Sequence, residues 1–73
     1  MKETAITRED ITRIFGKMTT EETDAKLEEA NGIVKQYGIY PEVFLRKARD
    51  CKNGEELKGS VYVAKAIKAF CYE

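Results

Sequence analysis

Few side chains in this 73-residue chain could support chemistry: it has two cysteines, one serine and no histidine. A serine acts as a nucleophile only when a base takes its proton, and histidine is the usual base near neutral pH. Ser60 therefore lacks an activating partner of that kind. A cysteine nucleophile would require a pKa lowered by nearby cations, but Cys51 and Cys71 map to the inward faces of predicted helices. These residues predict a non-catalytic protein, with a thiol enzyme or redox factor as the catalytic alternative.

The sequence also lacks the usual motifs of metal-binding and cofactor-binding sites. The separation of Cys51 and Cys71 matches no zinc motif, and no histidine nitrogen is present to complete one. None of the five glycines lies in a Gly-rich phosphate-binding loop. We therefore predict no metal and no cofactor. Because nothing in the sequence indicates an oxidising compartment, the cysteines are predicted to be half-buried free thiols rather than a disulfide.

The elements that must position these residues are predicted helices, and the longest lies between residues 19 and 38. Its apolar residues recur with the period of an α-helix, so they form one stripe. Thr19 followed by Glu22 is a capping-box start, and Gly38 suits a helix end. The stripe consists of Thr23, Leu27, Ala30, Val34 and Tyr37.

The fold class predicted for the whole chain is all-α, a single small domain of four helices packed around the second helix. A hydrophobic fraction of 42% is sufficient for a packed core. The first, third and fourth helices are expected to pack on the stripe, because short connections make sequential helices neighbours. In so small a domain, the burial of apolar side chains only narrowly offsets the entropy cost of ordering the chain. A homodimer, which would bury more surface, is therefore a possible state. The predicted helices are Thr7–Met18, Thr20–Tyr37, Pro41–Cys51 and Ser60–Tyr72, after a frayed lead-in at residues 1–6.

The cytoplasm is the expected location. No apolar run approaches the roughly 18 residues of a membrane span, and the first ten residues, MKETAITRED, lack the apolar core of a signal peptide. We therefore predict no membrane partner.

Charge is balanced overall but unevenly distributed. The chain has 13 Lys and Arg against 13 Asp and Glu. Through Val34 there are five basic and eight acidic residues, whereas the remainder has eight and five. A basic stripe on the last helix, extended by arginines of the third, is the predicted partner-binding surface. Its residues are Arg46, Arg49, Val61, Lys65, Lys68 and Tyr72.

Two kinds of partner are considered for this surface. A helix-turn-helix with its turn at Gly16 is disfavoured, because its reading turn would carry Glu21 and Asp24 and repel phosphate. Zero net charge also argues against a strong non-specific grip on nucleic acid. Arginine and tyrosine are enriched at protein interfaces. The leading hypothesis is therefore a non-catalytic protein-binding module (a regulator, inhibitor or accessory subunit) with an unidentified protein partner. The alternative is a small nucleic-acid-binding protein that uses the same basic surface.

Overall fold

A computed structural model describes residues 5–72 of the chain. It contains four α-helices and, within those residues, no strand. The predicted all-α, four-helix domain is confirmed. The helices are α1 Arg8–Phe15, α2 Thr20–Tyr37, α3 Pro41–Lys52 and α4 Val61–Tyr72.

The first two helices begin at capping boxes, as their sequences predict. Thr7 accepts a hydrogen bond from the backbone N–H of Asp10, and the Asp10 carboxylate accepts one from the backbone of Thr7. Thr19 and Glu22 make the same reciprocal pair at the start of α2. Such pairs satisfy two backbone donors that would otherwise lack helical partners. Gly38 ends α2 with φ of 64°, a left-handed conformation that glycine adopts without steric cost.

α1 is shorter than predicted, since it ends at Phe15 rather than Met18. Gly16 follows it with φ of 82°, which takes the backbone out of the helical region. Met18 still packs, half-buried, against the core although it lies outside the helix. The helical spacing of apolar residues in the sequence therefore extends to Met18, although the helix itself ends at Phe15. At α4, Ser60 is the residue before the helix, and its hydroxyl accepts from the backbone N–H of Val63.

The core is formed by aliphatic, aromatic and cysteine side chains from all four helices, together with Ile6 from the segment before α1. Ile6, predicted to lie in the frayed lead-in, is only 3% exposed and belongs to this core, while residues 1–4 lie outside the described part of the chain. Tyr37, predicted on the inward stripe of α2, is exposed. The buried apolar residues are Ile6, Ile11, Ala30, Phe44, Ala48, Cys51, Ile67, Phe70 and Cys71.

The helices form a flat body with principal extents of 32 × 31 × 17 Å. α2 contacts each of the other three helices, as predicted, and α3 does so as well. α3 supplies three buried residues, including the large side chain of Phe44. Within residues 5–72, no helix combines the length and the apolarity that a bilayer crossing requires.

Aromatic rings and lysines meet where α1, α3 and α4 end. The Phe70 ring packs edge-on against Phe15 and Phe44, with centroids 5.2 and 5.1 Å apart. The Lys26 ammonium lies 5.3 Å from the Phe15 ring and 5.1 Å from the Phe70 ring, and it donates a hydrogen bond to the Phe70 carbonyl. Lys52 covers Phe15 from α3, at 5.2 Å. Cations are favourable at helix carboxyl ends and over aromatic faces, so both lysines stabilise this junction.

Candidate binding groove between the first and third helices

A groove of about 500 Å³ runs between α1 and α3, and we name it the α1/α3 groove. Ile14 of α1 and Leu45 of α3 form its half-buried aliphatic floor. Three arginines, three carboxylates and one asparagine surround that floor. The surrounding residues are Asp10, Arg13, Glu42, Arg46, Arg49, Asp50 and Asn53.

The helical period explains why α3 supplies most of the groove. Phe44 and Ala48 are completely buried on the core side of α3. Arg46 and Arg49 lie well away from that side, because each residue advances by about 100° around the helix axis. Leu45 lies between the two sides and contacts both the core and the groove.

α1 supplies the other wall through residues one turn apart. Asp10, Arg13 and Ile14 occupy positions i, i+3 and i+4, so their side chains share one face of the helix. Asp10 is already engaged: its carboxylate caps α1 through Thr7 and lies 3.7 Å from the Arg13 guanidinium. The capping interaction thus also fixes a negative charge beside the groove.

The two α3 arginines are the available cations of the groove. Both are exposed, and neither forms an ion pair with any of residues 5–72. Glu42 and Asp50 lie on the same wall, and within that range they likewise form no ion pair. The groove therefore offers charges of both signs beside an aliphatic floor.

The structure brings together only part of the predicted binding surface. Arg46 and Arg49 share the groove, but no residue of α4 lines it. Val61 is 63% exposed, and Lys65 and Lys68 are also exposed. Whether these three residues of α4 bind a partner stays a prediction.

Tyr72, the last predicted site residue, lies against the end of α3. Its hydroxyl donates a 2.6 Å hydrogen bond to the Cys51 carbonyl, and the Lys52 ammonium lies 5.4 Å from its ring. Most of the side chain nevertheless remains exposed. Tyr72 thus joins the ends of two helices while keeping a surface that a partner could contact.

Only Arg46 and Arg49 of the nine groove residues belong to the sequence-based set, so seven were missed, among them the charged residues Arg13, Glu42 and Asp50. Their spacing in sequence gives one available signal: Glu42 and Asp50 are each four residues from Arg46, so all three lie near one side of α3. Arg13 carries no comparable signal, because its place in the groove depends on the approach of α1 to α3.

The two cysteines lie in the core as free thiols. The Cys71 thiol donates to the Ala48 carbonyl at 3.5 Å. Burial, followed by the neighbouring Cys51 thiol, raises the pKa of Cys71 to about 12. A thiol held in its protonated form is a poor nucleophile. Elsewhere among residues 5–72, no group of three or more potential metal ligands is assembled.

The fold and the groove together define a small all-α, four-helix domain with a mixed-charge groove on one side. Comparisons with models of protein families, with curated proteins and with solved structures find no match for this chain.

Proposed function

We propose that this protein is a small non-catalytic binding module, acting as a regulator, inhibitor or accessory subunit, that holds a segment of a partner protein in the α1/α3 groove. The observation that carries the proposal is the position of Arg46 and Arg49 beside the half-buried floor of Ile14 and Leu45. Arginine is prominent among residues that dominate binding energy at protein interfaces. The free thiols agree with a reducing compartment, so we propose the cytoplasm.

The proposed occupant is a protein segment with one aliphatic side chain flanked by carboxylates. The aliphatic group would cover Ile14 and Leu45, while the carboxylates would pair with Arg46 and Arg49 in the bidentate geometry that guanidinium favours. Small-molecule sites are mostly apolar with few polar groups. This groove has seven charged or amide side chains around two aliphatic ones, a ratio that suits a peptide segment better.

Charge also favours protein over nucleic acid as the partner. A phosphate backbone presents negative charge at every step. Within the groove, Asp10, Glu42 and Asp50 would repel such a backbone next to each arginine. A protein segment can place its own cations opposite those carboxylates, so the mixed-charge pattern provides register and specificity.

The experiment is affinity capture from the source organism, followed by direct binding measurements with the purified partner. The test variant is Arg46→Glu with Arg49→Glu. Its matched control is Lys65→Glu with Lys68→Glu, which makes the same change in net charge on exposed residues of α4. Reversing two interface arginines should weaken binding at least about 100-fold, since each 1.4 kcal/mol corresponds to a factor of ten. The control should weaken binding less than about threefold, because the proposed contact is made by the groove and not by the α4 residues that the sequence also predicted.

A large loss of affinity in the Lys65/Lys68 variant with little loss in the Arg46/Arg49 variant would contradict binding in the groove and assign it to α4. Equal losses in both double variants would indicate a general charge effect instead. Circular dichroism and a thermal melt of each variant should match the wild type, because the substituted side chains are exposed. A loss of binding accompanied by unfolding would not count as support.

The alternative function, nucleic-acid binding through the basic C-terminal half, has a separate test. A mobility-shift titration with duplex and single-stranded probes should give no shift at tens of micromolar protein. Binding that falls steeply with added salt would favour nucleic acid, since released counterions produce that dependence. Light scattering at several protein concentrations would show whether a homodimer forms.

A further inference from the structure

The carboxyl-terminal turns of α3 and α4 place the two cysteines in the same buried cluster. Both are buried, with Cys51 4% and Cys71 5% exposed. The Cys71 sulfur lies 3.5 Å from the Ala48 carbonyl, one helical turn before Cys51. The next residue, Tyr72, donates its hydroxyl hydrogen bond to the carbonyl of Cys51 itself. Cys71 and Tyr72 of α4 therefore contact the α3 backbone at Ala48 and Cys51, so the last turns of the two helices pack against each other.

We propose that Cys51 and Cys71 form a modification site: a dithiol that a two-electron oxidant of the hydroperoxide class converts into a disulfide joining α3 to α4. Two features of the structure support the pairing. The thiols share one core cluster, so neither has to cross the molecule to reach the other. Both are free, so each retains the hydrogen and the electron that the reaction removes.

The reaction balances with one peroxide per disulfide. A thiolate attacks one peroxide oxygen, so that an S–O bond forms, the O–O bond breaks and the departing hydroxide takes up the released proton as water. The second thiol then attacks the sulfenic sulfur; the S–S bond forms, the S–O bond breaks and a second water leaves. Each sulfur loses one electron, and each peroxide oxygen gains one.

Burial sets the rate of this modification. The thiolate is the reacting species, and both cysteines are almost completely buried. Burial also raises the pKa of Cys71. Oxidation therefore requires a transient opening of the last turn of α4, which breaks the hydrogen bond from Tyr72 to Cys51. The dithiol should therefore react slowly, in response to sustained rather than brief exposure to oxidant.

The disulfide would connect positions that are distant in sequence. Closing the loop between residues 51 and 71 restricts the unfolded chain, so it should raise Tm by roughly 10–20 °C. It would also fix Tyr72, and the cluster of Phe15 and Phe70 with Lys26 and Lys52, to the end of α3. The oxidised form is thus the more rigid form of the same fold.

The test is to incubate the purified, reduced protein with a modest excess of hydrogen peroxide and to follow its intact mass. We expect a loss of about 2 Da in the monomer, as two hydrogens leave. Peptide mapping without reductant should show the segment with Cys51 linked to the segment with Cys71. Dithiothreitol should restore the original mass and Tm. The same loss should occur with an azo oxidant such as diamide, which takes two electrons without supplying oxygen.

Three outcomes would overturn the proposal. One is a gain of about 16 Da or its multiples without the 2 Da loss. Another is linkage only between two molecules. The last is formation of the disulfide solely in denaturant. Cys51→Ser and Cys71→Ser should each abolish the 2 Da loss. If either variant fails to fold, the wild-type mass and the mapped linkage still decide the matter.

Discussion

Replacing Lys26 by methionine should destabilise the protein, because its ammonium holds together the junction at the ends of α1 and α4. The side chain is only 18% exposed. It donates a 2.5 Å hydrogen bond to the Phe70 carbonyl, approaches the rings of Phe15 and Phe70, and lies 3.7 Å from Glu29. Methionine retains the length of the aliphatic stem but removes the charge and the donor.

The contacts of Lys26 set the size of the effect. A hydrogen bond involving a charged group contributes about 1.5–3 kcal/mol, and each partly desolvated cation–π contact contributes about 0.5–1 kcal/mol. Methionine sulfur near the aromatic rings recovers about 1 kcal/mol. Because these terms share one group and are not additive, the expected loss is about 1–3 kcal/mol. For a domain of this size, Tm should fall by roughly 5–20 °C.

The assay is urea unfolding followed by circular dichroism, with thermal melts in parallel. Lys65→Met is the matched control, since Lys65 is exposed and should change stability by less than about 0.5 kcal/mol. Lys26→Arg should recover part of the loss because it retains the charge. A change below about 0.5 kcal/mol in Lys26→Met would refute the stabilising role of the ammonium.

Three further predictions follow from burial, capping and titration. Ile6→Ala should cost about 2–4 kcal/mol in urea unfolding, as expected for a core side chain, whereas a frayed residue would cost almost nothing. Thr19→Ala should cost about 1 kcal/mol through loss of the α2 cap, with faster amide exchange confined to the first turn of that helix. The raised pKa of Cys71 predicts an alkaline loss of stability, because the unfolded thiol loses its proton from pH 9.0 upward while the folded thiol keeps it until about 12. Its contribution is complete below pH 9.0 and declines between these values by up to about 1.4 kcal/mol per pH unit. Urea unfolding from pH 8 to 11 should therefore give a shallower decline in Cys71→Ala, and identical slopes would contradict this effect.

The helices were predictable where short-range signals determine them. The capping boxes at Thr7 and Thr19 and the left-handed Gly38 involve residues within one turn of each other, so the printed sequence contains all their determinants. The buried positions of α3 and α4 followed from helical period alone. The predicted end of α1 at Met18 was wrong, because the apolar side chain of Met18 packs on the core from outside any helix.

Contacts between distant segments were not predictable in the same way. Periodicity correctly placed Arg46 and Arg49 on a polar side of α3, but it could not show that α1, rather than α4, forms the other wall of their groove. The burial of Ile6 likewise depends on segments that lie far from it in sequence. The nearness of Cys51 to Cys71 depends on how α4 crosses α3. Each case requires knowledge of which helices meet, and local spacing does not supply it.

The 17 Å thickness of the body has a consequence for how a bound partner would be sensed. A single helix with its side chains measures about 10–12 Å across, so the protein is at most two helices deep. Within residues 5–72, the interior therefore lies about one layer of helices beneath each broad face. A partner seated on one face should therefore perturb nuclear resonances on the opposite face as well, and mapping such a complex by chemical shift alone would overstate the area of contact.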